Sequence, residues 1–286
     1  MNNTNKQRSF NSTKLKHFVI FIALVLLSIL FLSPIFIVLL NSFKGKFFIS
    51  ETPFLFPNKE TYVGIANYVN GIRKVEFIKA FGYSVFITVF SVGTIILFTS
   101  MTGWYITRVK TKFTSILYYL FVFSMIVPFQ MVMFTMSKTA NMLHLDNPFG
   151  IILIYLGFGA GLSVFMFSGF VKSIPIDVEE AASIDGCNPL QTYFLIVFPM
   201  LKPTAVTVAI LNAMWIWNDY LLPNLVIGTE YKTIPIALQK LKDAYGSVDM
   251  GARMALLVLS IVPIIIFYLI CQKHIIKGVA AGAVKG

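Results

Sequence analysis

Long stretches of this chain carry no charged side chain. Phe18–Leu40, Ala80–Thr107, Phe113–Ser137, Phe149–Val171 and Met254–Cys271 contain no Asp, Glu, Lys or Arg, and Pro203–Leu222 contains only Asp219 near its end. Each run approaches or exceeds the roughly 20 apolar residues that a helix needs to cross a bilayer. In hydrocarbon every backbone N–H and C=O must find its partner within the segment, so uncharged runs of this length are read as helices. The charges are crowded into the short segments between them. They make up only 12% of the chain, against about 25% in an average soluble domain. The formal net charge of +11 therefore reads as Lys and Arg in short loops, orienting spans and meeting anionic membrane lipid, and not as nucleic-acid binding.

The pattern predicts an all-α integral membrane protein with six transmembrane helices, at about 18–40, 80–107, 113–137, 149–171, 203–222 and 254–271. They form one membrane domain, 17–272, between an N-terminal segment 1–16 and a tail 273–286. The first run exceeds the apolar core of about 7–15 residues typical of a signal peptide and lacks a small-residue cleavage pattern, so it is expected to remain as a span. Six spans place both termini on one side. The basic residues Lys6, Arg8, Lys14 and Lys16, the turn with Arg108, Lys110 and Lys112, and the tail with Lys273, Lys277 and Lys285 assign that side to the cytoplasm, giving an N-in/C-in topology. The first outer loop, Asn41–Lys79, is also basic, but long loops cross membranes with less regard to charge. In the fourth span Gly150, Gly157, Gly159, Gly161 and Gly169 permit close approach of neighbouring helices.

No catalytic constellation is visible. There is no phosphate-cradling G-x-x-x-x-G-K-[ST], no H-E-x-x-H, no G-x-S-x-G and no paired carboxylates. Cys187, Cys271 and the scattered His17, His144 and His274 have no metal-ligand spacing, so no metal site and no bound cofactor are expected. An integral membrane enzyme is thus disfavoured. A secondary transporter driven by protons or sodium is the other alternative, but such proteins place ionisable groups inside their spans. The first four runs here contain no acid.

The segment 172–202, between the fourth and fifth runs, must lie in water, and the orientation puts it in the cytoplasm. Ile174-Pro175 predicts a helix start with proline at the first position. Asp177, Glu179 and Glu180 then fall where the helix dipole favours negative charge, and Gly186 stops the helix. Asn188-Pro189-Leu190-Gln191 predicts a second start with a reciprocal capping box. Leu190, Phe194 and Val197 follow at helical spacing, and Pro199 and Pro203 mark the return to the membrane. The expected shape is a helix, a tight glycine turn and a second helix.

Glu180-Ala181-Ala182, Gly186 three residues on, and Ile196-Val197-Phe198-Pro199 after nine more resemble the EAA motif of ABC-importer permeases, E-A-A-x-x-x-G-(nine)-I-x-L-P. The one departure is Phe198 at the usual leucine. Asn41-Ser42-Phe43-Lys44, Pro128-Phe129-Gln130, Trp217-Asn218-Asp219-Tyr220 and the closing Gly282-Ala283-Val284-Lys285-Gly286 resemble carbohydrate permeases of the maltose type, in the MalG-like subunit class. The resemblance runs from the first span to the last residue. It implies a non-catalytic permease of the bacterial cell membrane that imports a sugar or oligosaccharide. A sugar phosphate or polyol is the alternative solute. The implied partners are a second, non-identical MalF-like permease, two ATPase subunits that use ATP-Mg, and an extracytoplasmic solute-binding protein. By the same resemblance Glu180, Ala181, Ala182, Gly186, Ile196 and Pro199 couple to the ATPase.

A solute path has weaker candidates. Asn212, Trp217, Asn218 and Asp219 lie in or at the end of the fifth run, with Trp217 roughly 21 Å from Pro203 at about 1.5 Å per residue. An interfacial aromatic belt explains the aromatics there equally well. Gln130 is the most interior polar residue of the third run, and helix–helix hydrogen bonding is its competing explanation.

Overall fold

In a computed structural model the chain is helical, and the one β-bridge among the described residues joins Lys44 and Tyr62. The backbone is described for residues 3–241 and 248–283, and side chains for 15–241 and 248–272. The side chains of Lys6, Arg8, Lys14, Lys273 and Lys277, together with Lys285 and the closing 282–286 motif, lie outside that description. Five helices are long and apolar enough to cross a membrane, and a bent pair makes a sixth crossing if taken as one span.

The chain divides into two compact units, Met1–Lys74 with Leu241–Ile261, and Val75–Lys240 with Val262–Gly286. In the first, α1 (Asn3–Asn41) presents exposed apolar side chains along Leu15–Phe36. Its end is held by a knot of backbone-directed hydrogen bonds. Asn41 Nδ2 donates to the carbonyls of Ile37 and Pro53 at 2.9 and 2.8 Å, and Lys44 Nζ donates to that of Thr52 at 2.5 Å. Asn67 Nδ2 donates to the carbonyls of Ser42 and Lys44, both at 2.8 Å. Lys44 is fully buried, and that desolvation lowers its pKa. The outer loop is therefore ordered, with α2 (Lys46–Glu51) and α3 (Ala66–Lys74) inside it. The first turns of α13 (Met250–Ala283) pack on α3. A Cβ at Gly71 would sit 3.0 Å from Leu256, one at Gly251 would sit 2.6 Å from Asn67 Oδ1, and Lys74 pairs with Asp249.

The second unit is built on α4 (Phe77–Arg108), α7 (Gly150–Val171) and α10 (Phe198–Asn218). Where apolar side chains gain nothing by leaving lipid, helices associate through close packing of small residues. A Cβ at Gly103 of α4 would meet Phe167 at 2.8 Å, and one at Gly159 of α7 would meet Ile95 at 2.7 Å. Gly161 touches α5 (Lys112–Ser124) in the same way, 2.6 Å from Ser124 Oγ. Gly157 and Gly169 have nothing within 4 Å, so close packing accounts for part of the glycine pattern. Buried hydroxyls close on their own helix, as Thr99 and Ser163 do by donating to Ile95 O and Gly159 O at 2.5 and 2.7 Å.

Three expectations need correction. The third run, 113–137, is not one rod. α5 and α6 (Phe129–Met142) meet at 106° across a break that contains Pro128. Proline forces the residue before it out of the α region and gives no N–H, so an apolar run need not be a straight helix. The helix that carries the fifth apolar run does not begin at Pro203. Helix continues from α9 (Pro189–Gln191) through a π-helical stretch, Thr192–Val197, into α10 and ends at Asn218 rather than Leu222. Pro199 and Pro203 cannot donate to Leu195 and Pro199; Pro199 falls in the first turn of α10, directly after the π-helical stretch, and Pro203 is carried inside the helix without ending it. The second helix of 172–202 is therefore continuous with the helix that carries the fifth apolar run. After α10, the Asp219 carboxylate accepts from the N–H groups of Leu221 and Leu222 at 3.0 and 3.3 Å and caps α11 (Leu221–Val226), with α12 (Ile234–Gln239) following.

Candidate functional site

The last turns of α4 carry a row of side chains facing the 172–202 segment. α8 (Asp177–Ile184) starts two residues after Pro175, with Ile176 as its cap, so the proline precedes the helix instead of opening it. Its Glu179 turns inward, 8% exposed. Arg108 donates to Glu179 Oε1 through Nε at 2.9 Å and Nη2 at 2.7 Å, and through Nη2 to Ile174 O at 2.9 Å. Trp104 Nε1 donates to Glu179 Oε2 at 2.9 Å. Both carboxylate oxygens are thus engaged by α4, in a charge-assisted arrangement that fixes orientation as well as distance.

The turn after α8 is equally determined. Gly186 N donates to Ser183 O at 3.1 Å and Cys187 N to Ala182 O at 2.9 Å, the paired bonds of a Schellman motif. Gly186 takes φ +87°, a backbone conformation that L side chains rarely adopt, although a Cβ there would meet nothing within 4 Å. Asn188 then accepts from Gln191 N at 2.9 Å while its own N–H donates to Gln191 Oε1 at 2.9 Å, a complete capping box. Tyr193 lies fully buried behind this start, with its hydroxyl 2.5 Å from Ser100 Oγ and its ring 5.4 Å from that of Trp104. One helix end, α4 from Ser100 to Arg108, therefore grips the segment on both sides of its turn.

Each residue singled out for the coupling role can now be placed. Ala182 is buried, while Glu180, Ala181 and Gly186 lie on the outer surface of the turn. Ile196 is half-buried and Pro199 is exposed. Ile184, one helical turn after Glu180 and Ala181, is 86% exposed, and Val178, Leu190 and Phe194 of the same segment are also open. An open concavity lies between α8 and the next helix, lined by Trp104, Glu179, Glu180, Ser183, Cys187 and Thr192 among others. The residue that sequence reasoning missed is Glu179. In sequence it reads with Asp177 and Glu180 as one of three dipole-favoured acids, although it lies three residues from Ala182 on the inward face. Arg108, placed four residues after Trp104 at the end of a span, was the available signal for its partner.

The solute-path residues do not form one site. Asn212 is buried between α7 and α10, where its Nδ2 donates to Ser163 Oγ at 3.3 Å and Val208 O at 2.9 Å. Trp217 is half-buried, edge-on to Phe81 at 5.9 Å, beside an apolar cavity of about 400 Å³ between α4, α10 and the Pro263 turn of α13. Asn218 is exposed, and its amide donates to Met214 O at 2.7 Å. Asp219 accepts from the hydroxyl of the buried Tyr155 at 3.1 Å. Gln130 is exposed at the start of α6, and is not interior to this chain. Among the described residues no group of three or more His, Cys, Asp or Glu side chains could hold a metal ion.

Comparison with known proteins gives a consistent picture. Residues 95–281 match the family described as "Binding-protein-dependent transport system inner membrane component". The chain is 38% identical to "Probable starch degradation products transport system permease protein AmyC" of Thermoanaerobacterium thermosulfurigenes, over 94% of this chain and 97% of that one. It is 36% identical to the multiple sugar-binding transport system permease protein MsmG of Streptococcus mutans, over 95% and 98%. A crystal structure of a bacterial ABC transporter involved in import of the acidic polysaccharide alginate shares the fold, with TM-score 0.73 at 23% identity over 92% of this chain and 97% of that one.

Proposed function

The chain belongs to the family of binding-protein-dependent transport system inner membrane components, and we propose that its 172–202 segment is the joint through which a separate ATPase drives import of a sugar or oligosaccharide. It is a multi-pass membrane permease of an ABC importer and carries no catalytic centre of its own. In this reading both termini and the 172–202 segment face the cytoplasm of a bacterial cell. A second, non-identical permease completes the path, two ATPase subunits consume ATP-Mg, and an extracytoplasmic protein delivers the solute. The sugar assignment is supported by the names of the relatives, which include permeases for starch degradation products and multiple sugars.

The observation that carries the coupling role is the clamp of Arg108 and Trp104 on Glu179. Coupling requires an element that keeps its shape while its position differs between two global states. The Schellman turn and capping box supply the fixed shape, and the clamp transmits displacement of α8 to the membrane helix α4. Glu180, Ala181 and Gly186, with Ile184, form the outward surface for the ATPase. Ala182 packs the segment from within, and the half-buried Ile196 and exposed Pro199 belong to the same coupling set on the helix that follows. The test is ATP-driven solute uptake by the complete importer in proteoliposomes. Ala181→Asp and Gly186→Pro variants that insert normally are expected to lose uptake, and full uptake in both would refute the assignment.

A further inference from the structure

Immediately after the clamp residue Arg108, the chain leaves α4 through Val109–Thr111 and enters α5. Thr111 and Thr114 cap each other there, with Thr114 N donating to Thr111 Oγ1 at 3.2 Å and Thr111 N to Thr114 Oγ1 at 3.0 Å. The turn is thereby held with Lys110 and Lys112 pointing outward, both exposed. They line a shallow concavity of about 450 Å³ together with Thr111, Ser115, Ile116 and Tyr119, and no carboxylate lines it. Lys172, at the end of α7, adds a third cation beside α5, its ammonium 5.9 Å from the Tyr118 ring.

Below this cationic rim α5 is apolar and open. Ile116, Tyr119, Leu120 and Phe123 are 59%, 69%, 59% and 61% exposed. Their spacing of three, four and seven residues puts them in one stripe. From Lys112 to Phe123 the stripe runs roughly 16 Å at about 1.5 Å per residue, close to the half-thickness of a bilayer's hydrocarbon core, about 15 Å. A free anion matches the rim but has no use for the stripe. A neutral lipid matches the stripe but leaves the lysines without a counter-charge.

We propose that this face of α5 is a binding site for an anionic phospholipid. The phosphate sits between the Lys110 and Lys112 ammonium groups, and an acyl chain lies along Ile116, Tyr119, Leu120 and Phe123. A lysine close to an anionic lipid surface contributes about 1 kcal/mol, or roughly a fivefold change in occupancy. Removing both lysines should therefore cost roughly thirtyfold.

The test uses the assembled importer in phosphatidylcholine vesicles doped with a phosphatidylglycerol that carries a photoreactive acyl chain. Crosslinks are mapped by mass spectrometry. The expected result is labelling within residues 113–124, reduced roughly thirtyfold at sub-saturating lipid in K110Q/K112Q and unchanged in K59Q. Inorganic phosphate at the same concentration should not compete. Equal labelling of wild type and K110Q/K112Q, equal labelling by photoreactive phosphatidylcholine, or displacement by inorganic phosphate would each overturn the site.

Discussion

Replacing Arg108 by alanine removes three hydrogen bonds at once, two to Glu179 Oε1 and one to Ile174 O. Glu179 is then left largely desolvated with only Trp104 Nε1 as donor. Breaking a buried ion pair by deleting one partner costs about 3–5 kcal/mol. Water still reaches both side chains, at 18% and 10% exposure, so the lower figure of about 3 kcal/mol applies. That corresponds to roughly a 150-fold shift toward the state in which α8 is released from α4. The expected phenotype is a protein that inserts and assembles, with ATP hydrolysis by its partner no longer matched by uptake. Hydrogen–deuterium exchange across Asp177–Ile184 should rise by one to two orders of magnitude in rate, while exchange in the core of α7 stays unchanged. Glu179→Ala alone should do the same. The double variant should be less harmful than the sum of the singles, by about 2 kcal/mol, because the two groups act as a pair. Additive single effects, or unaltered exchange at α8 in Arg108→Ala, would refute the clamp.

Three further outcomes follow from local geometry. Gly186→Ala meets no side chain but must hold φ +87°, at a cost of about 1–2 kcal/mol, so uptake should fall while thermal stability of the membrane core is retained. Gly159→Val drives a Cβ to 2.7 Å from Ile95 and 2.8 Å from Asn212 Oδ1. Overpacking of about 1–3 kcal/mol or more should appear as reduced yield of folded protein by fluorescence-detected size exclusion. Asn212→Ala should lower thermal stability by about 1–2 kcal/mol through loss of the Ser163 contact, with the uptake KM unchanged. A large KM change at normal stability would instead put Asn212 on the solute path.

The membrane helices were legible because lipid leaves few options. An uncharged run of sufficient length reads as helix, although it can break within its length, as the third run does at Pro128. The turn at Gly186 and the cap at Asn188–Gln191 were legible for a related reason, since both depend on residues three to five apart. What was not legible depends on partners distant in the chain or on competing local effects. The inward orientation of Glu179 is set by Arg108, 71 positions earlier. Pro128 and the pair Pro199 and Pro203 look alike as helix breakers, yet the first bends its span by 106° and the others sit in a continuous helix. Pro199 stands just after the π-helical stretch Thr192–Val197, at the first turn of α10 where its missing N–H costs little, and the sequence pattern does not reveal that stretch. Asn212 and Asp219 read as polar residues near a path, but neighbouring helices supply each with a hydrogen-bond partner, Ser163 for one and Tyr155 for the other.

The most direct test of the joint places a photoreactive phenylalanine, one position at a time, at Ala181, Ala182 and Ile184 in the assembled importer. Crosslinks to the ATPase subunit are expected from the outward positions 181 and 184, changing in yield when ATP is bound, while position 182 should crosslink within the permease. ATPase crosslinks from 182 alone, or none from 181 and 184, would contradict the proposed coupling surface.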